Sequence, residues 1–365
     1  MQYLVNDYGD GCCIEIGLCH SLTSLIDFGS KLSGKLPKKG GFFRRKDWDK
    51  LIISHYHTDH YNQLYQTGNN SIGINELIYP HIPKIIGVPG VDDEEILLKF
   101  VLFFNMLSVF DDCGIPSYGL INLLNKKVKT THCNFLKRRV MRGDQIDIYN
   151  ESYQVIWPPE FITRADSSSK KILSRLEEIH DIIKKNDFLK ELWEEFEVKY
   201  SKRNTASEDS DEKSYAPDML LCEEKYKKNK VKIKPIAKRL SKVIRDEITN
   251  RLSICLYKKD TFLFLGDLEE EEIKACIDHL KNNYNINHIN LYIAPHHGTH
   301  WDDRLLDIYA ENVVISNGKE RVIDFKEKFK DISGSCFHTF LCGDIFIDDE
   351  DWTVRLKKLW WFFRP

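Results

Sequence analysis

Three histidines and an aspartate fall within six residues in Ser54-His55-Tyr56-His57-Thr58-Asp59-His60. Imidazole nitrogen and carboxylate oxygen are ligand types that zinc, manganese and iron accept. The ligand residues alternate with Tyr56 and Thr58, so they can converge on one side of the chain. A polar surface loop is the plain alternative, and that alternation argues against it. Two further places share the design. Asp267 follows Phe262-Leu263-Phe264-Leu265-Gly266, and His296 and His297 follow Leu291-Tyr292-Ile293-Ala294-Pro295. In each, an apolar run stops abruptly at residues able to bind a metal ion. Such an ion acidifies water and polarises an ester oxygen, so the chemistry on offer is hydrolysis. Asp59 is a catalytic candidate as well as a ligand. His300 could protonate a leaving group, and His338 could reach the site from a C-terminal strand pair. An ordinary loop histidine is the plain reading of both.

The elements that must position these residues can be read around them. An apolar run reads as a buried strand, and strand ends on a rigid sheet are where sites collect. Trp48 to Ser54 is the strand behind the first cluster, and a helix begins between His60 and Tyr65. Leu252 to Leu256 and Thr261 to Leu265 form a hairpin around Lys258-Lys259-Asp260. Glu269 to Asn283 is an amphipathic helix, and Ile289 to Ala294 and Val313 to Ser316 are further strands. Earlier in the chain, Cys12 to Ile16 and Ser24 to Phe28 supply strands after the turn Asp7 to Gly11. Glu76 to Pro80 and Tyr153 to Trp157 supply two more, with Arg142-Gly143-Asp144 as a turn.

The 365 residues carry a net charge of −3 and are 42% hydrophobic, enough for a sizeable core and without a globally basic surface. None of the ten cysteines forms a Cys-x-x-Cys pair, so neither a zinc ribbon nor a disulfide framework is expected. The first residues lack a basic stretch followed by an apolar run, so a cytoplasmic location is expected. Ile96 to Phe110 is apolar but includes Lys99 and Asn105 and is shorter than the ~20 residues of a membrane span. It reads as a buried or interface helix, with no membrane partner. The organisation expected is one domain over 1–365 with a helical insertion at 90–137 and a charged helical insertion at 160–250. Within the latter, Ile172, Leu173, Leu176 and Ile179 recur at helical spacing, and 201–218 reads as a mobile linker. The lysines from Lys225 to Lys242 read as a solvated face, with attraction for phosphate backbone as the second reading. Trp360 to Phe363 reads as core or interface packing.

Taken in order, these segments resemble the metallo-β-lactamase superfamily, and within it the ComEC-like metallohydrolase domain. Asp7-Tyr8-Gly9-Asp10-Gly11-Cys12 is similar to that group's Asp-Val-Gly-Gln-Gly-Asp opening, and Leu25-Ile26-Asp27-Phe28-Gly29 to its LIDCG strand. Ser54 to His60 is similar to SHxHxDH, and Asn250-Arg251-Leu252-Ser253-Ile254 to NxxSLVL. Leu265-Gly266-Asp267-Leu268-Glu269 is similar to TGDLE, and Ala294-Pro295-His296-His297-Gly298-Thr299 to VPHHGS. The resemblance implies an α/β fold, a four-layer αβ/βα sandwich, with metal at one edge. It implies His55 and His57 on one ion, Asp59 and His60 on a second, Asp267 between them, and His296, or less favoured His297, completing the second. The superfamily's third-motif histidine is missing, because Trp157-Pro158-Pro159 stands in its place; His132 and His180 lie elsewhere and read as surface residues. The implied cofactor is zinc or manganese, one ion or two.

Three functions follow as expectations. The first is a metal-dependent phosphodiesterase or nuclease acting on nucleic acid or a nucleotide. The second is a hydrolase of a small ester, thioester or lactone. The third is a regulatory subunit with a residual metal site that binds a protein partner through 160–250. Proteins resembling this group include companions of larger ATPases in bacterial anti-phage systems.

Overall fold

The computed structural model describes residues 1–17, 23–30, 47–63, 73–89, 91–109, 136–166, 168–204, 235–236, 239–240 and 242–357. His132, residues 205–218 of the expected linker, most of 225–242 and Trp360 to Phe363 lie outside the described residues. Contacts divide the chain into two compact units. One comprises Met1–His81, Lys127–Glu160 and Thr249–Pro365, and the other Ile82–Lys126 and Phe161–Ile248. The protein is α/β with mixed sheets. Among the described residues no helix is long and apolar enough to cross a membrane.

The first unit holds β1 (Gln2–Val5), β2 (Ile14–Ile16), β3 (Thr23–Ile26), β4 (Asp47–Ile52) and β5 (Gly73–Pro80). In the second unit β6 (Lys84–Ile85) follows. The first unit resumes with β7 (Leu136–Val140), β8 (Gln145–Ile148) and β9 (Glu151–Trp157), and β10 (Phe161–Ile162) belongs to the second. The first unit then continues through β11 (Cys255–Lys258), β12 (Phe262–Phe264), β13 (His288–Ile293), β14 (Tyr309–Ile315), β15 (Ser333–His338), β16 (Ile345–Asp348) and β17 (Val354–Leu356). Its first sheet has the order β17-β16-β1-β2-β3-β4-β5-β7, and its second the order β15-β14-β13-β12-β11-β9-β8. Leu136 and Lys137, which the sequence reading places in the first insertion, belong to the edge strand β7.

The two sheets are built alike. In the first, β1, β2 and β3 pair antiparallel and β3, β4, β5 and β7 run parallel. In the second, β9, β11 and β12 pair antiparallel and β12 to β15 run parallel. They share one core. Tyr3, Ile14, Ile26, Ile52 and Ile78 of the first sheet meet Val155, Phe262, Leu291, Ile293 and Val314 of the second. Tyr3 stacks on Phe262 with ring centroids 5.2 Å apart, and its hydroxyl lies 3.0 Å from that of Tyr153. The alternate residues Leu263, Leu265, Tyr292, Val313 and Ile315 face the other way. There they pack with Ile273, Cys276, Ile277 and Leu280, one face of the helix Glu270–Tyr284. Burial on both faces explains why the ends of the ligand-bearing strands, Leu51 to Ile53, Phe262 to Leu265 and Leu291 to Ala294, read as apolar runs.

The second unit pairs β6 with β10 in parallel. It contains helices α1 (Ile96–Val109), α2 (Ser169–Lys184) and α3 (Asp187–Asn204); the helix Glu270–Tyr284 of the first unit is α4, followed there by the short α5 (Thr339–Cys342). The first four residues of the expected linker, 201–204, form the end of α3. Phe100 and Phe103 of α1 lie 4.8 and 5.1 Å, centroid to centroid, from Trp193 of α3, and Lys99 bridges Asp93 and Glu197. These contacts, with Leu97 and Leu189 fully buried, account for the apolar character of α1. His180 is exposed on α2.

Candidate metal centre

Every ligand-type cluster singled out in the sequence lies just beyond the carboxyl end of a parallel strand, where open α/β sheets place their ligands. His55 to His60 follow β4, Asp267 follows β12, and His296 and His297 follow β13. The turns that present them are tight. Asp27, His296 and His297 have positive φ values of 59°, 46° and 58°, and Gly266 has 56°. Non-glycine residues in this region cost free energy and collect at functional sites. Gly29 is required for another reason, because a Cβ there would overlap the backbone carbonyl of Asp59.

Three imidazoles converge on one carboxylate oxygen. Asp267 Oδ2 lies 3.3 Å from His60 Nε2, 3.6 Å from His297 Nε2 and 3.9 Å from His55 Nε2. All four residues are buried, and none of the three Nε2 atoms has a hydrogen-bond partner. Ligands held about 2.1 Å from a tetrahedral ion sit about 3.4 Å apart, so these separations suit a shared cation better than direct hydrogen bonds.

The tautomers are set from behind. His60 Nδ1 lies 2.7 Å from Asp27 Oδ2, and His297 Nδ1 donates to the Ser316 carbonyl at 2.7 Å. Each ring thus turns its other nitrogen inward, as a metal ligand supported by an outer hydrogen bond does. Asp27 is fixed in turn by the Ser54 amide and hydroxyl, both at 2.7 Å. Asp267 is held through its backbone amide, which donates to Ser253 Oγ at 3.1 Å, while that hydroxyl donates to the Asn250 carbonyl at 2.7 Å.

The charges are strongly coupled. Burial holds His55 well below the ordinary histidine value, helped by neighbouring His60. Burial acts the same way on His60, but Asp267 and Asp27 outweigh it and hold that ring well above the usual value. Burial would raise the carboxyls of Asp59 and Asp267; His57 holds the first well below the usual range, and His60 and His297 hold the second there.

Neither a scan against protein-family models nor a search of curated proteins finds a match. The site's chemistry therefore rests on its own atoms. Among the described residues, His55, His60 and Asp267 form one group able to hold an ion, and Asp59, His60 and His297 a second that shares His60. His57 is half-buried, its Nδ1 2.8 Å from Asp59 Oδ1, and belongs to neither group.

The structure departs from the sequence reading at the histidine pair. His297, not the favoured His296, faces Asp267, because the left-handed turn splays the two rings apart. Their centroids are 6.1 Å apart and their planes 70° apart. His296 stands instead with Glu269 and His300. Burial holds the His300 ring below the ordinary histidine value. His338 is buried against Phe325 at 4.5 Å between ring centroids, and its Nδ1 accepts from the side-chain Nδ2 of Asn317 at 3.2 Å. It belongs to none of the ligand groups. Trp157 is buried in the core and donates its indole N–H to the Arg251 carbonyl at 2.7 Å, so it offers no ligand.

Sequence reasoning missed Asp27 as the residue that orients His60. A signal was present, because Leu25-Ile26-Asp27 repeats the design of an apolar strand stopping at an aspartate. Cys12, Asp27 and His60 also lie close enough to count as a ligand group. Burial pushes the Cys12 thiol well up, which disfavours the thiolate a metal needs, and Asp27 is already saturated.

Proposed function

We propose that the chain is a metal-dependent hydrolase of the metallo-β-lactamase type, acting on a phosphodiester bond in nucleic acid or a nucleotide. The observation that carries this reading is the convergence of three buried Nε2 atoms on Asp267 Oδ2. Two alike sheets with ligands at the carboxyl ends of their parallel strands are what a four-layer αβ/βα sandwich of that type requires. Zinc or manganese, one ion or two, would be held by His55, His60, Asp267, Asp59 and His297. A divalent ion there supplies Lewis acidity and brings the pKa of water toward ~7.

The chain's own groups do the rest. Asp27 and the Ser316 carbonyl keep two rings in the ligand tautomer, and Ser253 keeps Asp267 in place. An open groove of about 690 Å³ lies beside His300, lined also by Thr299, Arg321, Lys326, Glu270 and Asp324. Arg321 and Lys326 can orient a phosphate, with the carboxylates of Glu270 and Asp324 beside them. A small apolar ester would call for an enclosed apolar pocket, so the open polar groove favours the phosphodiester.

Trp157 in place of the third-motif histidine favours a second reading, a partner-binding subunit with a residual metal site. One experiment separates the two. Purified protein is given manganese or zinc and single-stranded DNA, duplex DNA, RNA and bis(p-nitrophenyl) phosphate in turn. Cleavage of at least one substrate, lost in Asp267→Ala, is expected. Cleavage of none of them refutes the phosphodiesterase.

A further inference from the structure

Among the described residues, a further cluster outside the group around Asp267 brings together residues with ligand chemistry that the proposed reaction leaves unused. Glu269 immediately precedes α4, and His296 lies in the turn after β13 with His300 just beyond it. Glu269 Oε1 lies 3.9 Å from His296 Nδ1, and Glu269 Oε2 lies 3.7 Å from His300 Nδ1. The two Nδ1 atoms are 2.9 Å apart. We propose that Glu269, His296 and His300 form a separate divalent-cation site with a donor set that zinc accepts.

Two imidazoles and a carboxylate are a known zinc donor set, and three protein ligands leave a position for an exogenous one. The two carboxylate oxygens already face different rings, so one ion between the three residues can draw on all of them.

The scaffold is fixed before any ion arrives. The His296 amide donates to the Gly266 carbonyl at 3.0 Å. The His296 carbonyl accepts from the Thr299 hydroxyl at 2.7 Å and its amide at 3.1 Å. The left-handed turn sends His297 toward Asp267 and His296 toward Glu269, so neighbouring residues serve different ions.

Glu269 is the carboxylate that faces both rings, and Arg251 reaches it only at 3.7 Å while lying 2.7 Å from Glu272 and 3.1 Å from Glu271. Burial raises the Glu272 carboxyl to about 8, and Arg321 also acts on His296 and His300, so the cluster offers an ion the one carboxylate of Glu269. His300 lines the open groove, which gives an ion a path from solvent.

The competing arrangement is a plain hydrogen bond, in which His300 Nδ1–H is shared between His296 Nδ1 and the Leu268 carbonyl at 3.3 Å. Zinc stoichiometry decides between them, whether or not the chain is a hydrolase. The full-length protein is dialysed against zinc and bound metal is counted by mass spectrometry, with circular dichroism as the fold control. Glu269→Gln and His300→Ala should each lose about one zinc per chain relative to wild type. Asp267→Ala should keep a zinc that the added His300→Ala removes. Equal zinc content and affinity in wild type, Glu269→Gln and His300→Ala would overturn the site. Glu269→Gln is nearly isosteric and keeps the test readable should His300→Ala fail to fold.

Discussion

The two sheets of the first unit pass through the same steps, yet they use their matching aspartates in opposite ways. Asp27 follows β3 and Asp267 follows β12, the strand in each sheet at which antiparallel pairing gives way to parallel. Asp27 is engaged by the Ser54 amide, the Ser54 hydroxyl and His60 Nδ1, all at 2.7 Å. Asp267 Oδ2 faces three imidazole nitrogens at 3.3 to 3.9 Å. An identical carboxylate at an equivalent strand end therefore orients one imidazole in one half and gathers three in the other. What decides is the neighbour behind it. Ser54 sends both its donors to the Asp27 carboxylate, whereas Ser253 engages Asp267 through the backbone and leaves its carboxylate to the histidines.

Breaking that comparison at its strong end gives the largest effect. Asp267→Ala should abolish metal retention at the central group, with any hydrolysis falling by about a thousandfold or more, as seen by metal analysis and turnover. At the other aspartate, Asp27→Asn leaves all first ligands in place and should weaken zinc binding about 10- to 100-fold, measured by competition with a chelating dye. An equal loss from both substitutions would erase the distinction between the two carboxylates.

Lowering the pH should have a smaller, graded effect. Burial would lower His60, but Asp267 and Asp27 outweigh it, so in the metal-free chain this ring keeps its proton above the ordinary histidine value. An incoming ion must displace that proton. Zinc affinity should therefore fall as pH drops and rise toward His60's raised value, by up to about tenfold per unit, as titrations in matched buffers would reveal. The smallest effect is expected at Ser253→Ala, which removes one buried hydroxyl and should cost about 1 kcal/mol in a denaturant melt, with metal stoichiometry unchanged.

Much of this was legible in the sequence because burial on both faces writes itself as an unbroken apolar run. Ile53, Leu265 and Ala294 end such runs, and the ligand-type residues stand within two or three positions after them. Three things were not legible, each for a physical reason. An aspartate before Phe28-Gly29 reads as a turn residue until His60, 33 positions later, is brought against it. The choice between His296 and His297 depends on a left-handed turn that side-chain alternation does not anticipate. Strand β1 is four residues long and pairs with β16 through Tyr3 and Ile347, at the other end of the chain, so no local pattern announces it.

The most direct test is a zinc-edge anomalous diffraction map of the protein crystallised with zinc. A peak within about 2.0–2.2 Å of Nε2 of His60 and His55 or His297, and of an Asp267 oxygen, is the expected result. A zinc-loaded crystal with no peak near Asp267 would contradict the account.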